Sequence, residues 1–473
     1  MKKIAFVCFL AAALFTRTAF AADTALPNNT VNSNSGDAPT QAEPLPTTTF
    51  DSVKSEIFPF YNNDWSVYAD GTAIYQGYPS FHAAYSGSQS LRSSAQQDNI
   101  EVLDLSIGRR LWQGGAIYID PQFFRGFGLN GTIGMAGFPD GEANKGGTSY
   151  VTPLLARAYL QQTIGFGGPT EVLERGPNQL HDVVDISRLT ITAGKFSYTD
   201  MFDGNLYSHD PQSQFLNWSF MDSLAWDWAQ DSKGYAWGSV FELNQKDWAL
   251  RYGAMLPVDT INGDHFSVHG VDQLNNALEL EERYSFSNNP GKTRFLVFYN
   301  REISGNFAEA LAQGGDINTT IAGTREYGRG EYGFALNLEQ QLRDDLGAFV
   351  RLSWNNGANE NFGFSQANQS LALGLSLQGK KWGREDDVVG FAVAVNGISS
   401  EQRKALKAGY DTGLIIGDGG LSYSGESIIE TYYNYKLTAY ASVGPDYQLV
   451  LNPAYNADRG PVNIFALRAH AEF

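Results

Sequence analysis

The nine residues from Phe465 to Phe473 carry the pattern that most narrows what this chain can become. Phe465, Leu467, Ala469, Ala471 and Phe473 fall on one face of an extended strand, and Ala466, Arg468, His470 and Glu472 on the other, because successive side chains alternate across a strand. A soluble sandwich strand alternates in the same way. Here the segment runs to an aromatic residue with no polar tail, the form of a closing strand in a lipid-embedded barrel whose charges face the lumen.

The same period of two recurs upstream. Leu103, Leu105 and Ile107 oppose Asp104 and Ser106; Leu189, Ile191 and Ala193 oppose Arg188, Thr190 and Thr192. Trp248, Leu250, Tyr252 and Ala254 oppose Arg251, and Leu278, Leu280, Tyr284 and Phe286 oppose Glu279, Glu281 and Arg283. Ala348, Val350, Leu352 and Trp354 oppose Arg351; Ile429, Thr431, Tyr433, Tyr435 and Leu437 oppose Glu430, Asn434 and Lys436. Gly, Asn and Asp clusters separate these runs, and no long 3.6-residue period appears after Trp65.

The amino terminus bounds the compartment. Met1-Lys2-Lys3 precedes an apolar run from Ile4 to Phe15, and Ala19-Phe20-Ala21 supplies the small residues of a cleavage site, which reads as a signal peptide over 1–21. The single cysteine, Cys8, lies within it, so the exported chain is expected to have neither disulfide nor thiolate chemistry. Removal of Lys2, Lys3 and Arg17 leaves 30 basic against 51 acidic residues, a net charge of −21. That balance argues against a nucleic-acid partner, which needs a basic surface.

Residues 22–63 read as a flexible periplasmic leader, poor in large apolar side chains, with a short helical turn expected between Asp51 and Phe60. No later stretch reaches the roughly 20 apolar residues of a membrane helix, so a membrane location requires a closed barrel. About 410 residues remain from Asp64; at roughly 25 residues per strand with its loop, they make about 16 strands, with 18 also fitting. The expected fold is therefore all-β, a transmembrane antiparallel β-barrel over 64–473.

Gly194 to Asn217 reads Gly-Lys-Phe-Ser-Tyr-Thr-Asp-Met-Phe-Asp-Gly-Asn-Leu-Tyr-Ser-His-Asp-Pro-Gln-Ser-Gln-Phe-Leu-Asn. It resembles the signature of the carbohydrate-selective outer-membrane porin family (OprB-type). Similar stretches follow in order: Gly379-Lys-Lys-Trp-Gly-Arg384 with Asp387, Gly417-Asp-Gly419, Glu430-Thr-Tyr-Tyr433, Pro445-Asp-Tyr-Gln448, Asn452-Pro-Ala-Tyr-Asn456 and Arg459-Gly-Pro-Val462, with Asp120-Pro-Gln122 upstream. The resemblance covers Trp65 to Phe473. It implies a 16-stranded porin passing monosaccharides, glucose among them, in a Gram-negative outer membrane.

A channel of this kind carries out no bond chemistry and needs no cofactor or metal; it selects by the width and lining of a constriction. Lys195, Asp203, Asn205 and Asp210 follow a strand and are expected in the lumen if that loop folds inward, or in an Asx-rich turn if it does not. Arg188, Arg251, Arg351 and Glu430 face the lumen by parity, as solvated wall charges or as sugar contacts. Trp382 and Arg384 fit a stacking platform with an adjacent charge, or a girdle Trp beside a turn Arg. Phe473 is expected to serve recognition by the outer-membrane assembly machinery.

No G-x-S-x-G elbow, H-E-x-x-H or P-loop occurs, and an enzyme is not expected. The partners expected are small sugars and outer-membrane lipid, with the chain a monomer or a trimer. The alternatives are a general diffusion porin for other small solutes and, in a different class, an extracytoplasmic β-protein that binds or hydrolyses carbohydrate.

Overall fold

The computed structural model describes residues 62–473; the expected signal peptide, most of the expected leader and the expected turn between Asp51 and Phe60 lie outside them. From Trp65 the chain alternates strand and connection to its end. The strands are β1 (Trp65–Tyr78), β2 (Gln96–Trp112), β3 (Gly115–Gly126), β4 (Thr148–Gly165), β5 (Thr170–Leu173), β6 (Asp182–Asp185), β7 (Arg188–Phe196), β8 (Ala236–Asn244) and β9 (Trp248–Met255). They continue as β10 (Asn275–Phe286), β11 (Asn289–Ser304), β12 (Glu326–Arg343), β13 (Leu346–Asn355), β14 (Gln369–Gly379), β15 (Arg384–Gly397), β16 (Glu426–Thr438), β17 (Ala441–Leu451) and β18 (Val462–Glu472).

All but β5 and β6 close into one antiparallel barrel of 16 strands in sequence order, sealed where β18 returns to β1. The seam runs from Asp70 opposite Glu472 to Gly77 opposite Phe465. Beyond it, Phe473 N donates to Ala69 O at 2.8 Å and Ala69 N to Phe473 O at 3.1 Å. Closure leaves no unpaired edge, the condition lipid imposes on a sheet.

The alternation read from the sequence sorts the two faces. On β18, Phe465 and Leu467 are exposed while Ala466, Arg468 and His470 are buried. Leu371, Leu373, Leu375 and Phe391 lie on the exposed outer belt. Trp248 and Tyr284 mark its turn side, and Trp237, Tyr299, Tyr332 and Trp354 its loop side, the two aromatic girdles of a membrane barrel.

The two ends differ. Connections 113–114, 287–288, 344–345 and 439–440 are tight turns, whereas 127–147, 197–235, 305–325 and 398–425 are long loops. Short turns face the periplasm and long loops the exterior in such barrels. The 166–187 connection departs from this rule. It carries the β5–β6 hairpin and tucks against the inner wall: Ser66 Oγ donates to Gly176 O at 2.7 Å and Asn178 Nδ2 to Asp120 Oδ2 at 2.6 Å.

Among the described residues, four short α-helices occupy the loops: α1 (Trp218–Met221), α2 (Phe307–Gln313), α3 (Ile317–Gly323) and α4 (Ser400–Lys407). Each begins at a side chain that accepts a main-chain N–H, namely Asn217, Asn306, Asp316 and Ser399. These polar residues stabilise helix starts by meeting orphan donors. The lumen is not lined by wall residues alone. Tyr198, Phe202, Phe215, Phe220 and Trp226, all from the 197–235 loop, are fully buried, so this loop supplies the apolar filling of the barrel.

Candidate functional site: a loop-narrowed lumen

A loop as apolar as 197–235 must leave water, and a polar wall must then meet its main-chain groups. Carboxylates of the inner wall do so. Glu279 accepts Asp203 N at 2.8 Å and Glu339 accepts Leu206 N at 2.8 Å. Glu430 accepts Leu216 N and Asn217 N at 2.6 and 3.0 Å. Arg351, 2% exposed, works in the opposite sense: it donates to the carbonyls of Asp203, Ser208 and Phe220. Hydrogen bonds to charged groups contribute about 1.5–3 kcal/mol each, so the loop is firmly held.

The neighbouring 127–147 loop is fixed in the same way. Glu426 accepts Ala136 N at 3.1 Å and Gly137 N at 2.6 Å, and Gln76 and Gln448 both donate to Pro139 O. The two loops are joined to each other by Asn217 Nδ2 to Gly137 O and Trp218 Nε1 to Asp140 O, each at 2.9 Å. The 356–368 loop joins them through Asp227, whose carboxylate accepts the N–H groups of Phe362, Gly363 and Phe364.

Where these three loops meet, aromatic rings gather. Trp218 stacks on Phe364 with centroids 5.2 Å apart, Trp228 lies 5.2 Å from the same ring, and Phe138 lies 5.5 Å from Trp218. Beside them is a cavity of about 180 Å³ bounded by Gln122, Glu142, Lys145, Arg157, Lys233 and Tyr235. Arg157 grips Asp200 through two bonds of 2.8 and 2.6 Å and lies over the Tyr235 ring. Gln122 Nε2 donates to Asp104 Oδ1 at 2.6 Å and to the Tyr235 hydroxyl at 3.1 Å. A second cavity, about 380 Å³, opens on the turn side beneath Leu206, Tyr207, Ser213 and Gln214. The 197–235 loop therefore divides the lumen.

Charge at this waist is unusual. Burial raises the Glu142 carboxyl well above its ordinary range, and Asp104, Asp140, Asp210 and Asp70 raise it further. Burial also brings Asp140 up to about 7. Lys145 is pushed down to about 7 by burial, with Asp227 opposing, and its amine donates to Gly363 O at 2.5 Å. Burial likewise lowers Lys233. The lining thus combines aromatic faces, amides and charges that respond to pH near neutrality.

The residues singled out from sequence fall into three groups. Asp203, Asn205, Arg351 and Glu430 are brought together, but as anchors packed between loop and wall. Asn205 Nδ2, for example, donates to Asn337 Oδ1 at 2.7 Å. Arg251 faces inward and bridges Glu242, Glu279 and Glu281 at 2.5, 2.8 and 3.2 Å.

Arg188, Lys195 and Asp210 lie elsewhere in the interior. Arg188 pairs with Glu171 of the periplasmic hairpin at 2.5 Å. Lys195 shares the register of exposed Trp237, yet its amine meets Asp231 at 2.9 Å. Asp210 forms the local turn, accepting from Gln212 N and Ser213 Oγ.

For Trp382 and Arg384 the lumen platform is corrected in favour of the girdle and turn alternative, because they are not on the lumen. Trp382 Nε1 donates to the Tyr433 hydroxyl at 3.1 Å, and Arg384 lies 4.0 Å over Tyr435 while pairing with Asp387. Tyr433 and Tyr435 alternate with buried Tyr432 and Asn434, so this cluster belongs to the outer, turn-side girdle.

Glu142, Lys145, Arg157, Lys233, Trp218 and Trp228 were missed. The available signal was density: the 197–235 segment carries five Phe or Trp between Phe215 and Trp228, too many for a solvated loop.

A closed barrel with a lipid-facing apolar belt and a lumen narrowed by its own loops defines an outer-membrane channel of the porin class. The family model for the carbohydrate-selective porins, OprB family, matches residues 89–473. The chain belongs to this family, and it is a channel rather than an enzyme.

The chain is also similar to Porin AaxA of Chlamydia abortus, 24% identical over 301 residues, an alignment taking in 60% of this chain and 53% of that one. Porin AaxA of Chlamydia caviae is 21% identical over 288 residues, with the same shares. The match therefore spans about half the length of these curated relatives. Pseudomonas putida OprB, in its high-pH structure, has the same fold, with a TM-score of 0.68 at 15% identity over 90% of this chain and 97% of that one.

Proposed function

We propose that this porin gives small, glucose-like sugars a passive path across the outer membrane of a Gram-negative cell, and that they are recognised at the waist between the 127–147, 197–235 and 356–368 loops. One observation carries the reading. The rings of Trp218, Trp228 and Phe364 stand beside Gln122, Glu142, Lys145 and Arg157 around one small cavity. Aromatic faces suit the C–H patches of a sugar ring, and amide and charged groups replace the water on its hydroxyls. Family membership as a carbohydrate-selective porin supports the same reading. Residues 1–21 direct export, and Phe473 is assigned to recognition by the assembly machinery.

Single-channel conductance of the refolded protein in a planar bilayer, with glucose titrated into the bath, tests the proposal. Stepwise conductance blocked saturably by glucose is the expected result. Conductance indifferent to glucose would move the reading to a general diffusion porin.

A further inference from the structure

Glu331 is buried at 6% exposure near the loop end of β12, and its Oε2 meets no donor among the described residues. In the sheet register it stands opposite Asn300, which stands opposite Asn275. Glu302 lies two residues along β11 from Asn300, on the same inward face. Asn275 is fully buried and its Nδ2 donates to Glu302 Oε1 at 2.6 Å, which leaves its own Oδ1 beside that carboxylate without a donor. The 197–235 loop seats on this patch through Asp227, whose carbonyl accepts from Asn300 Nδ2.

Cations nearby are turned elsewhere. Arg329, opposite Glu302 in register, donates to Glu309 and to the Thr324 carbonyl. Lys145 donates to Gly363 O. Glu331 Oε2 and Asn275 Oδ1 are therefore buried without a donor on either side of β11, with the Glu302 carboxylate, whose one donor is the Asn275 amide, on the same inward face; leaving a buried charge unpaired costs several kcal/mol. Oxygen donors of this kind suit a hard cation. Among the described residues no three His, Cys, Asp or Glu side chains form a metal cage by themselves, so amide and water oxygens must complete the shell.

We propose that Glu302, Glu331 and the Asn275 amide oxygen hold a divalent cation of the Ca²⁺ type, and that this ion locks the 197–235 loop to the β10–β12 wall. No spacing in the sequence announces the site, because its donors come from three strands.

The test uses the full chain folded in detergent, stripped with EDTA and titrated with Tb³⁺, whose luminescence Trp228 is placed to sensitise. The expected result is saturable luminescence that Ca²⁺ displaces, weakened at least tenfold in Glu331→Gln and in Asn275→Ala. EDTA should also lower the unfolding temperature of the parent chain and leave that of Glu331→Gln unchanged. Variants that bind like the parent would place the ion elsewhere and overturn the proposal. A parent chain that binds neither ion would overturn it too, leaving Glu331 as a protonated acid. If Glu331→Gln fails to fold, as judged by heat-modifiable mobility, Asn275→Ala decides.

Discussion

Glu430 on β16 receives the main-chain N–H groups of Leu216 and Asn217 at 2.6 and 3.0 Å, so a carboxylate of the wall holds the turn where the 197–235 loop enters α1. Removing it leaves two buried donors unmet, at about 1–3 kcal/mol each. Glu430→Ala is expected to lower the unfolding temperature and to give larger, noisier single-channel currents as the loop loosens. Unchanged current steps would show that the loop is held without it.

Accessibility to thiol reagents separates anchors from lining. Glu430 is fully buried, whereas Ser213 borders the turn-side cavity and is partly exposed. In bilayers, Ser213→Cys is expected to lose conductance on reaction with a charged thiol reagent, and Glu430→Cys to be untouched. Block at position 430 would mean that solute passes behind the loop.

Glu142 borders the loop-side cavity among Asp104, Asp140, Asp210 and Asp70. Glu142→Gln keeps the shape and removes the acid. Apparent sugar affinity, read from glucose block of the current, is expected to fall several-fold while the barrel keeps its heat-modifiable mobility. An identical block curve would move sugar recognition away from this wall.

His209 and Asp222 give the loop a dependence on pH. The imidazole Nδ1 lies 3.4 Å from the buried Asp222 carboxylate. Burial lowers the His209 pKa, but the adjacent Asp222 carboxylate outweighs it and holds it above 6.5. Burial also raises the Asp222 carboxyl. Both groups therefore bind a proton more tightly in the folded chain than in the unfolded one. The His209 contribution is complete below about pH 6.5 and is lost as pH rises through the raised folded value. Unfolding temperature measured from pH 5.5 to 8.5 should decline with pH in the parent chain, and His209→Gln should flatten that decline. A parallel decline in the variant would exclude the pair as its source.

Much of the barrel was legible because its rule is local. Phe465 and Leu467 face lipid and Arg468 and His470 face inward, as their parity required, since a strand side chain knows its face from its neighbours alone. The same parity placed Arg251 and Arg351 correctly on the inner wall. It did not reveal that Arg351 would be sealed beneath the 197–235 loop, because partners more than a hundred residues apart leave no mark on spacing. For Trp382 and Arg384 the sequence left two readings open, because they sit at a turn and the strand start after it, where a register irregularity between Gln378 and Gly379 interrupts the alternation.

The sequence by itself determined a closed antiparallel barrel of about 16 strands, its inner and outer faces and its lipid setting, all of which follow from a two-residue period and the need to satisfy every backbone group in lipid. Only the tertiary structure decided which loops enter the lumen and which groups they leave exposed there. That choice rests on long-range pairings, such as the wall residue Glu430 with Asn217 and the loop residue Asp227 with Phe364, in which a buried carboxylate finds donors that no local pattern predicts.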